Sequence, residues 1–342
     1  MKVVMKKLVC ILCVVVFFCS CNKSATNSSK DPEEFELGSL QKILDGYVVK
    51  AIAFDSKGNA WIGTQGKGLI RYNEKETVFY NSDNSVLPKE FVIWDVAVDK
   101  NDNVWIGESS GMWKYDGKQF TLYNSKNTAM PEDVAGSIAI DSKNIIWFAS
   151  CRFKQGGLVK YDGSEWTAYT PKNSDLPDNQ IKDIAIDQSD NVYLTLNDYL
   201  VKVSDDKWEI FDKNDLGLTN FIFAGIQFNS KNLLLGINDH SFNGLALQPP
   251  AELYTFDGKE ATILSYIDDV TSIPGNTKIT IDRNDDVWCF AIGKDCVVWK
   301  NKNKNWNKFD RSEFGGSSVW VIAESPDYRI WFGTENGIYI RF

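Results

Sequence analysis

The chain has 342 residues and a formal net charge of −9, and its aromatic content of 13% includes 12 tryptophans. An acidic balance argues against nucleic acid as a partner, because phosphate recognition needs a basic face. The aromatic content favours strands over helices, and one domain of this length is expected when it is built from repeats.

Residues 1–20 have the composition of a secretory leader. Three lysines precede an apolar run from Leu8 to Phe18, which is shorter than the roughly 20 residues that span a bilayer. The run is followed by Ser20 and Cys21. This ending resembles the lipobox of bacterial lipoproteins, which implies cleavage before Cys21 and lipidation of its thiol. The alternative is a plain secreted protein.

Residues 21–32 are small and polar, and we predict that they form a flexible linker after the lipidated Cys21. Asn22 follows Cys21, and no acidic cluster comes directly after it. By resemblance to the lipoprotein sorting rule, this implies an outer-membrane lipoprotein. We expect it to face the periplasm, with the cell surface as the alternative, and to contact the membrane only through its anchor. Loss of the leader removes three lysines and changes the net charge from −9 to −12.

One motif recurs seven times along the rest of the chain. The stretch 99–107 reads Asp-Lys-Asn-Asp-Asn-Val-Trp-Ile-Gly. Its aromatic or leucine position returns at 61, 105, 147, 193, 234, 288 and 331, in steps of 41 to 54 residues. A period in the forties is the signature of a repeat architecture.

Each unit predicts four strands. An apolar–small–apolar triplet such as Val96–Val98 gives the first strand, and Asp-x-x-x-Asn gives a turn. The tryptophan lies in the second strand, Gly111–Tyr115 is typical of the third, and Phe120–Tyr123 is typical of the fourth. The Asp99 spacing also matches the opening of a calcium loop, but the glycine and glutamate that such a loop needs are missing. We therefore interpret it as a turn and expect no metal.

Seven four-stranded antiparallel units predict an all-β, seven-bladed β-propeller over residues 33–342, which we expect to be a monomer. The last unit stops at its third strand, Gly337–Phe342. The segment Glu34–Leu37 resembles Gln119–Leu122. We predict that this N-terminal strand completes the last blade.

The form Asp-x-x-Gly-Asn-x-Trp-Ile-Gly-Thr-x-x-x-Gly-Leu-x-x-Tyr, found from Asp55 to Tyr72, resembles the two-component regulator propeller repeat. In that family, such propellers form the periplasmic sensor halves of hybrid histidine kinases, and many of these respond to glycans. The resemblance covers about residues 33–342 and is strong in units one, two, three and seven. The sequence shows neither a kinase domain nor a transmembrane helix, so we expect ligand binding rather than phosphorylation.

The predicted ligand face is the channel mouth, where the turns between second and third strands meet the connections between blades. Two of these loops are long, at 150–155 and 238–250. The candidate ligand-binding residues on this face are Phe91, Trp94, Arg152, Lys154, Asp239, His240 and Trp320. The alternatives are that the tryptophans pack between blades, that Arg152 and Lys154 are solvated, and that His240 is a hydrogen-bonded loop residue.

No enzyme or cofactor is expected. Residues 107–111 match a nucleophile elbow, but that motif needs a strand-to-helix turn and a nearby histidine. Here the turn is predicted to join two strands, and the single histidine, His240, lies three blades along the chain. We therefore predict a non-enzymatic protein that recognises a glycan or peptide. The alternatives are an interaction platform for another envelope protein and, less favoured, a polysaccharide hydrolase or a lyase.

Cys289 and Cys296 flank a short turn and could form a disulfide across a hairpin. The alternative is two small buried apolar residues.

Overall fold

The computed structural model describes residues 37–152, 155–218, 223–232, 234–238, 251–267, 279–291, 297–302 and 305–342. The predicted leader, the predicted linker and Cys21 lie outside these residues.

The described strands form seven four-stranded antiparallel sheets, numbered here as blades from the inner to the outer strand. Blades 1 to 4 consist of β2 Val49–Phe54, β3 Ala60–Thr64, β4 Leu69–Asn73, β5 Glu76–Tyr80; β6 Asp95–Val98, β7 Val104–Glu108, β8 Gly111–Tyr115, β9 Phe120–Tyr123; β10 Ile138–Ile140, β11 Ile146–Arg152, β12 Gln155–Tyr161, β13 Trp166–Tyr169; and β14 Asp183–Ile186, β15 Val192–Thr195, β16 Leu200–Ser204, β17 Lys207–Phe211. Blades 5 to 7 consist of β18 Phe223–Phe228, β19 Leu234–Asn238, β20 Ala251–Phe256, β21 Ala261–Ile267; β22 Thr280–Ile281, β23 Val287–Ala291, β24 Val297–Lys302, β25 Asn305–Phe309; and β26 Val319–Glu324, β27 Ile330–Thr334, β28 Gly337–Arg341, β1 Leu40–Ile43.

The inner strands close into a circle. Each contacts the inner strand of the next blade, in the order β2, β6, β10, β14, β18, β22 and β26, and β26 contacts β2 again. Ring closure leaves no blade face uncovered. The predicted seven-bladed β-propeller is confirmed. A 3-10 helix, Arg311–Phe314, lies between blades 6 and 7, and no helix in the described residues could cross a bilayer.

An N-terminal strand completes blade 7 as predicted, but it is a different segment. The strand is Leu40–Ile43, and its residues pair with β28 from Leu40 opposite Arg341 to Ile43 opposite Ile338. The predicted strand Glu34–Leu37 was wrong in register: Leu37 is buried before the strand, and its carbonyl accepts the Arg341 Nε–H at 2.9 Å. Residues 34–36 lie outside the described chain. The short connection from Ile43 to β2 fixes this register.

One carboxylate holds each well-formed turn between the first and second strands. Asp99 Oδ1 accepts the backbone N–H groups of Asn101 and Asn103, at 2.8 and 3.0 Å. Its Oδ2 accepts the Asn103 amide at 2.8 Å and the indole N–H of Trp105 at 3.0 Å. Asp55 and Asp282 bond to the tryptophans of their blades in the same way. The structural interpretation of this spacing is confirmed, and the Asp–Trp bond explains why the two residues recur together.

Neighbouring turns are joined around the lower face by a hydrogen bond that we call the clasp. The residue after the turn Asp, or after Asn229 in blade 5, donates its backbone N–H to the Asp or Asn that lies three residues after the turn residue of the next blade. Five seams have this bond: Ser56 to Asp102, Lys100 to Asn144, Ser142 to Asp190, Gln188 to Asn232 and Ser230 to Asp285. The accepting residues have positive φ, which Asn and Asp tolerate better than other side chains.

The clasp is absent at the seam between blades 7 and 1. Pro326 has no N–H to donate, and Gly58 has no side chain to accept. A salt bridge from Arg329 Nη1 to Glu74 Oε1, at 2.7 Å, spans this seam instead. At the seam between blades 6 and 7, Arg283 donates its N–H to Glu324 Oε2 at 3.0 Å.

Aromatic side chains pack each blade against the next. Trp105, which is 1% exposed, stacks on Tyr123 of its own blade, with ring centroids 6.1 Å apart. It also contacts Tyr161 of blade 3, at 5.6 Å. Deleting such a buried ring typically costs about 3–5 kcal/mol. The repeated tryptophan is therefore an inter-blade core residue.

The strands show where two segments singled out in the sequence lie. The predicted insertion at 150–155 is a longer hairpin, in which Cys151 opposes Gly156 and Arg152 opposes Gln155. Cys289 is a free, buried thiol that lies opposite Trp299, and burial raises its pKa. Cys296 lies outside the described residues. The observed state of Cys289 therefore agrees with a small buried apolar residue rather than with a disulfide.

Candidate functional site at the channel mouth

The upper rim of the channel is built by residues at or just before the start of the inner strands. We define it as the position five residues before the turn Asp, or before Ser325 in blade 7. Its described members are Lys50, Trp94, Gly136, Lys182, Ala224 (five residues before Asn229, the turn residue of blade 5) and Trp320, and the position in blade 6 lies outside the described residues. Equivalent positions in a propeller lie at one level of the ring, at the end opposite the Asp turns. The rim therefore combines two cations and two indole rings on a rigid scaffold.

Three rim positions, Lys50, Ala224 and Trp320, sit in β-bulges. The register of β2 shifts between Val49 and Ala51, so Lys50 is the extra residue. The register of β26 shifts in the same way between Val319 and Val321, which makes Trp320 the extra residue. Bulges re-aim a side chain and are frequent next to functional sites.

Lys50 and Trp320 meet across the seam between blades 1 and 7. The Lys50 Nζ lies 3.0 Å from the centroid of the Trp320 ring. Burial lowers the pKa of Lys50 to about 8, and the negative charge of Glu335 opposes part of this shift. The contact is a cation–π interaction that is partly removed from water.

Glu335 belongs to the turn between β27 and β28. Its Oε2 accepts the Ser318 backbone N–H at 3.3 Å and lies 3.6 Å from Nη2 of Arg311. Arg311 also donates Nε–H to the Gly316 carbonyl at 2.9 Å. Glu335, whose negative charge acts on Lys50, thus already interacts with the Ser318 N–H and with Arg311.

The Trp320 indole N–H is buried and has no hydrogen-bond partner among the described residues. Most other tryptophans with a described partner reach a carboxylate, as Trp113 reaches Glu108 Oε1 at 2.9 Å. A buried donor without an acceptor costs about 1–3 kcal/mol. The channel mouth therefore contains a buried N–H donor, that of Trp320, without a hydrogen-bond acceptor among the described residues.

Trp94 is the most open aromatic side chain on the rim, with 49% of its surface exposed. Its backbone N–H is fixed to the Gly107 carbonyl at 2.8 Å. Val86, in the same connection between blades 1 and 2, is 66% exposed. A firmly held backbone with an open ring can stack on a ligand without ordering a loop first.

Phe91, in contrast, is a core residue. It is 6% exposed and belongs to the buried cluster that includes Leu69 and Ile93. Its carbonyl accepts the Gly66 N–H at 2.8 Å. Its burial leaves almost no surface for a ligand.

The remaining predicted site residues are not described at the side-chain level. Arg152 ends β11, at the tip of the long hairpin, and its side chain is outside the described part of the chain. Lys154, Asp239 and His240 also lie outside it. Their predicted contribution to the channel mouth stays a prediction.

Two buried carboxylates tie blades together beside the rim. Asp95 Oδ2 accepts the Ile138 N–H at 2.9 Å. Asp183 accepts the Ile226 N–H at 3.1 Å and the Ser137 hydroxyl at 2.8 Å. Both acids bridge from one inner strand to another, so we assign them to ring closure. In the described residues no group of acids, histidines and cysteines is arranged to hold a metal ion.

Sequence reasoning missed Lys50, Glu335 and the two bridging acids. The signal was present in the aligned repeats: Lys50 and Trp320 occupy the position of Trp94, and Asp95 and Asp183 take the place of Ala51. A polar residue in one unit where its sister units are small or apolar marks such positions.

The segment 107–111, which matches the elbow pattern, is a strand-to-strand turn, as expected. Ser109 and Ser110 join β7 to β8. Their hydroxyl groups donate to the buried Glu108 carboxylate, with Ser109 Oγ 3.2 Å from Oε2. The carboxylate anchors this turn.

Comparison with known proteins agrees with this fold. Residues 42–66 match the sequence model of the two component regulator propeller, which confirms the resemblance of the repeat. No curated protein matches the chain.

Solved structures share the architecture at low identity. The extracellular domain of the hybrid two component system BT4673 from B. thetaiotaomicron is 16% identical, with a TM-score of 0.67, and the match covers 88% of this chain and 39% of that one. The chain thus spans about two fifths of that domain. Virginiamycin B lyase from Staphylococcus aureus with quinupristin is 13% identical, with a TM-score of 0.67, covering 89% of this chain and 99% of that one. YCF48 bound to D1 peptide is 11% identical, with a TM-score of 0.61, covering 90% and 96%. At these identities the likeness shows the propeller fold alone.

Proposed function

We propose that this chain is a non-catalytic, ligand-recognising propeller of the bacterial cell envelope, and that it binds a glycan or peptide at the upper rim. The observation that carries the proposal is the half-exposed Trp94 ring on a rim that also presents Lys50 and Trp320. Apolar faces combined with a few placed polar groups suit a ligand that has both characters.

The placement in the envelope rests on two supports. The leader and Cys21 resemble those of bacterial lipoproteins, and the fold is similar to the extracellular domain of a bacterial sensor. A lipid on Cys21 and a linker over residues 21–32 would hold the propeller near an outer membrane, facing the periplasm. Labelling cells with an alkyne-tagged fatty acid tests the anchor: the wild type should be labelled and Cys21→Ser should not. Label retained in Cys21→Ser would contradict the assignment.

Glycan-array and peptide-array binding tests the recognition function. Trp94→Ala should weaken binding about tenfold or more, because a stacked aromatic pair is worth about 0.5–1.5 kcal/mol beyond the area it buries. Tyr328→Ala is the matched control, since Tyr328 is 57% exposed and lies on the opposite, lower face. Equal losses in both variants would contradict a site at the rim.

An interaction platform is the second candidate, and exposed Val86 in the same connection as Trp94 favours it. Two open apolar side chains in one loop suit a protein partner. Val86→Asp should then abolish recovery of an envelope protein by pull-down while leaving sugar and peptide binding unchanged. If arrays show no binding and the pull-down yields a stable partner that Val86→Asp loses, the platform replaces the ligand site.

The lyase match supports a third, less favoured candidate, because it covers 99% of the lyase chain. Incubation with quinupristin, followed by mass spectrometry, tests it. Unchanged quinupristin is expected, and enzyme-dependent conversion would contradict a non-catalytic role.

A further inference from the structure

At the seam between blades 7 and 1, two side-chain donors have no hydrogen-bond acceptor among the described residues. The Lys50 ammonium lies on the Trp320 ring, and no carboxylate lies within ion-pair distance of it in the described residues. The Trp320 indole N–H is buried without a partner there. Glu335, the acid whose charge acts on Lys50, already accepts a hydrogen bond from the Ser318 backbone N–H and lies beside Arg311.

This lack of an acceptor sets Trp320 apart from the other tryptophans of the ring. Trp61, Trp105 and Trp288 donate to turn carboxylates at 2.9–3.0 Å. Trp331 also has an unpartnered N–H, but it lies in the blade core, 3% exposed. Trp320 is less completely buried and lies on the rim. Part of its ring is therefore open to solvent, although the N–H itself is shielded.

We infer that the Lys50–Trp320 seam is a binding site for the carboxylate of the ligand. One carboxylate oxygen would accept the Trp320 indole N–H, and the Lys50 ammonium would pair with the same group. This inference rests on the proposed recognition function and specifies the chemical class of its ligand. A charge-assisted hydrogen bond of this kind is about twice as strong as a neutral one.

Lys50 acts as the movable part of the site. The Trp320 Nε1 atom is shielded from solvent, and the ammonium lies directly over the ring. Carboxylate binding therefore requires a local side-chain movement that uncovers the N–H, and the Lys50 ammonium follows the incoming charge. The bulges at Lys50 and Trp320 bring the two side chains together across the seam.

An acidic sugar and a peptide carboxylate share this chemistry. The structure favours the sugar, because Trp94 offers an open stacking surface on the same rim. Three probes separate the sources: a digalacturonate, its dimethyl ester, and a short peptide with a free carboxyl terminus. The ester keeps the sugar rings and removes both charges.

The test follows indole resonances in two-dimensional ¹H–¹⁵N spectra of the whole protein, with Trp320→Phe identifying the Trp320 signal. Digalacturonate should move that signal, and the ester should bind at least about tenfold more weakly. Lys50→Met should weaken digalacturonate binding about tenfold, and Lys50→Arg should restore most of it. Tyr328→Ala, on the opposite, lower face, should leave the Trp320 shift in place.

The outcomes distinguish this inference from the proposed function. A Trp320 shift with the peptide but not with digalacturonate supports a carboxylate site whose ligand is a peptide. Equal binding of ester and acid, with an unmoved Trp320 signal, overturns the carboxylate site while ligand recognition stands. No binding of any probe, together with blank arrays, overturns both.

Discussion

At the residue scale, the turn carboxylate does more than form a turn. In blade 2, Asp99 satisfies two backbone N–H groups, the Asn103 amide and the Trp105 indole. Blade 7 has Ser325 at this position, and the indole N–H of Trp331 is buried without a partner. The structural cost of replacing Asp by Ser is thus visible within one molecule.

Ser325→Asp should stabilise the protein by about 1 kcal/mol, because it offers Trp331 the missing acceptor. Arg329, which pairs with Asp327 and Glu74, provides positive charge for the new carboxylate. Urea unfolding followed by tryptophan fluorescence measures the change.

The reciprocal variant is the control for this prediction. Asp99→Ser should destabilise the protein by about 2–3 kcal/mol, since it leaves the Trp105 indole N–H without an acceptor and weakens the turn. If Ser325→Asp lowers stability, the Asp–Trp bond is not the determinant of the repeat.

Lys50 gives ligand binding a defined pH dependence. Its pKa is lowered to about 8, mainly by burial and against the charge of Glu335, and Arg311 is the other charged group nearby, beside Glu335. A carboxylate ligand binds the protonated amine, so affinity should be full below pH 7 and fall as the pH rises through 8. Titration calorimetry between pH 6.5 and 9.5 measures it.

Lys50→Arg is the matched variant, because arginine stays charged over this range. Its affinity should be nearly constant with pH. An identical decline in wild type and Lys50→Arg would assign the titration to another group.

At the element scale, the repeat predicted the strands well because the same strand and turn pattern occurs independently in each repeat unit. Phe120–Tyr123 is an outer strand with the predicted bounds, and Trp166–Tyr169 is its equivalent in blade 3. The closing strand was misplaced because no sister unit shares its context. The prediction at 34–37 used a match of two apolar residues and took no account of the length of the connection to β2. That connection is short, and the strand that pairs with β28 is Leu40–Ile43.

The candidate site was predicted only in outline. Trp94 and Trp320 occupy equivalent positions of their repeat units and their ligand-binding role stays a prediction, whereas Phe91 is buried in the core. Lys50 was missed because its importance comes from a bulge and from a neighbour 270 residues away in the chain. Periodicity within one unit contains no information about which residues meet across the seam.

The closing strand should stabilise the ring through one apolar side chain. Ile43 packs against the cluster that contains Ile338 and Ile340. Ile43→Asp should lower the free energy of unfolding by about 2–3 kcal/mol, because apolar burial is lost and a charge is placed at an apolar contact. Gln41→Asp, at an exposed position of the same strand, should change stability by less than about 0.5 kcal/mol.

Thermal unfolding measures the stability of these two variants, and hydrogen exchange measures the protection of their β28 amides. In Ile43→Asp, the amides of β28 should exchange faster, because their partner strand is loosened. Equal behaviour of the two variants would show that the strand closes the blade through its backbone alone.

At the scale of the whole molecule, the ring is held by two sets of contacts. Aromatic rings pack the blades together in the core, and the clasps join their lower turns. Hydrogen bonds from Ser56 lower the pKa of Asp102, and those from Ser142 lower the pKa of Asp190. The outer hairpins add similar groups: backbone N–H donors lower the pKa of Asp162 to about 2.

These shifts predict how the ring responds to acid. A carboxylate whose pKa is lower in the folded state contributes stability that is present above its unfolded value near 4 and is lost as the pH falls through the folded value. Stability should therefore be nearly constant from pH 7 to 5 and should decrease between pH 4 and 2. Urea unfolding at fixed pH values measures this profile.

The variant Asp102→Asn isolates one seam. It keeps an acceptor for the Ser56 backbone N–H but no longer titrates, so its stability should fall less steeply below pH 4 than that of the wild type. Asp83→Asn is the matched control, because the Asp83 side chain is exposed on a loop far from any clasp. A wild-type profile that already declines between pH 7 and 5 would mean that other groups govern the acid response. The clasps would then be geometric links between blades without a measurable electrostatic contribution to ring closure.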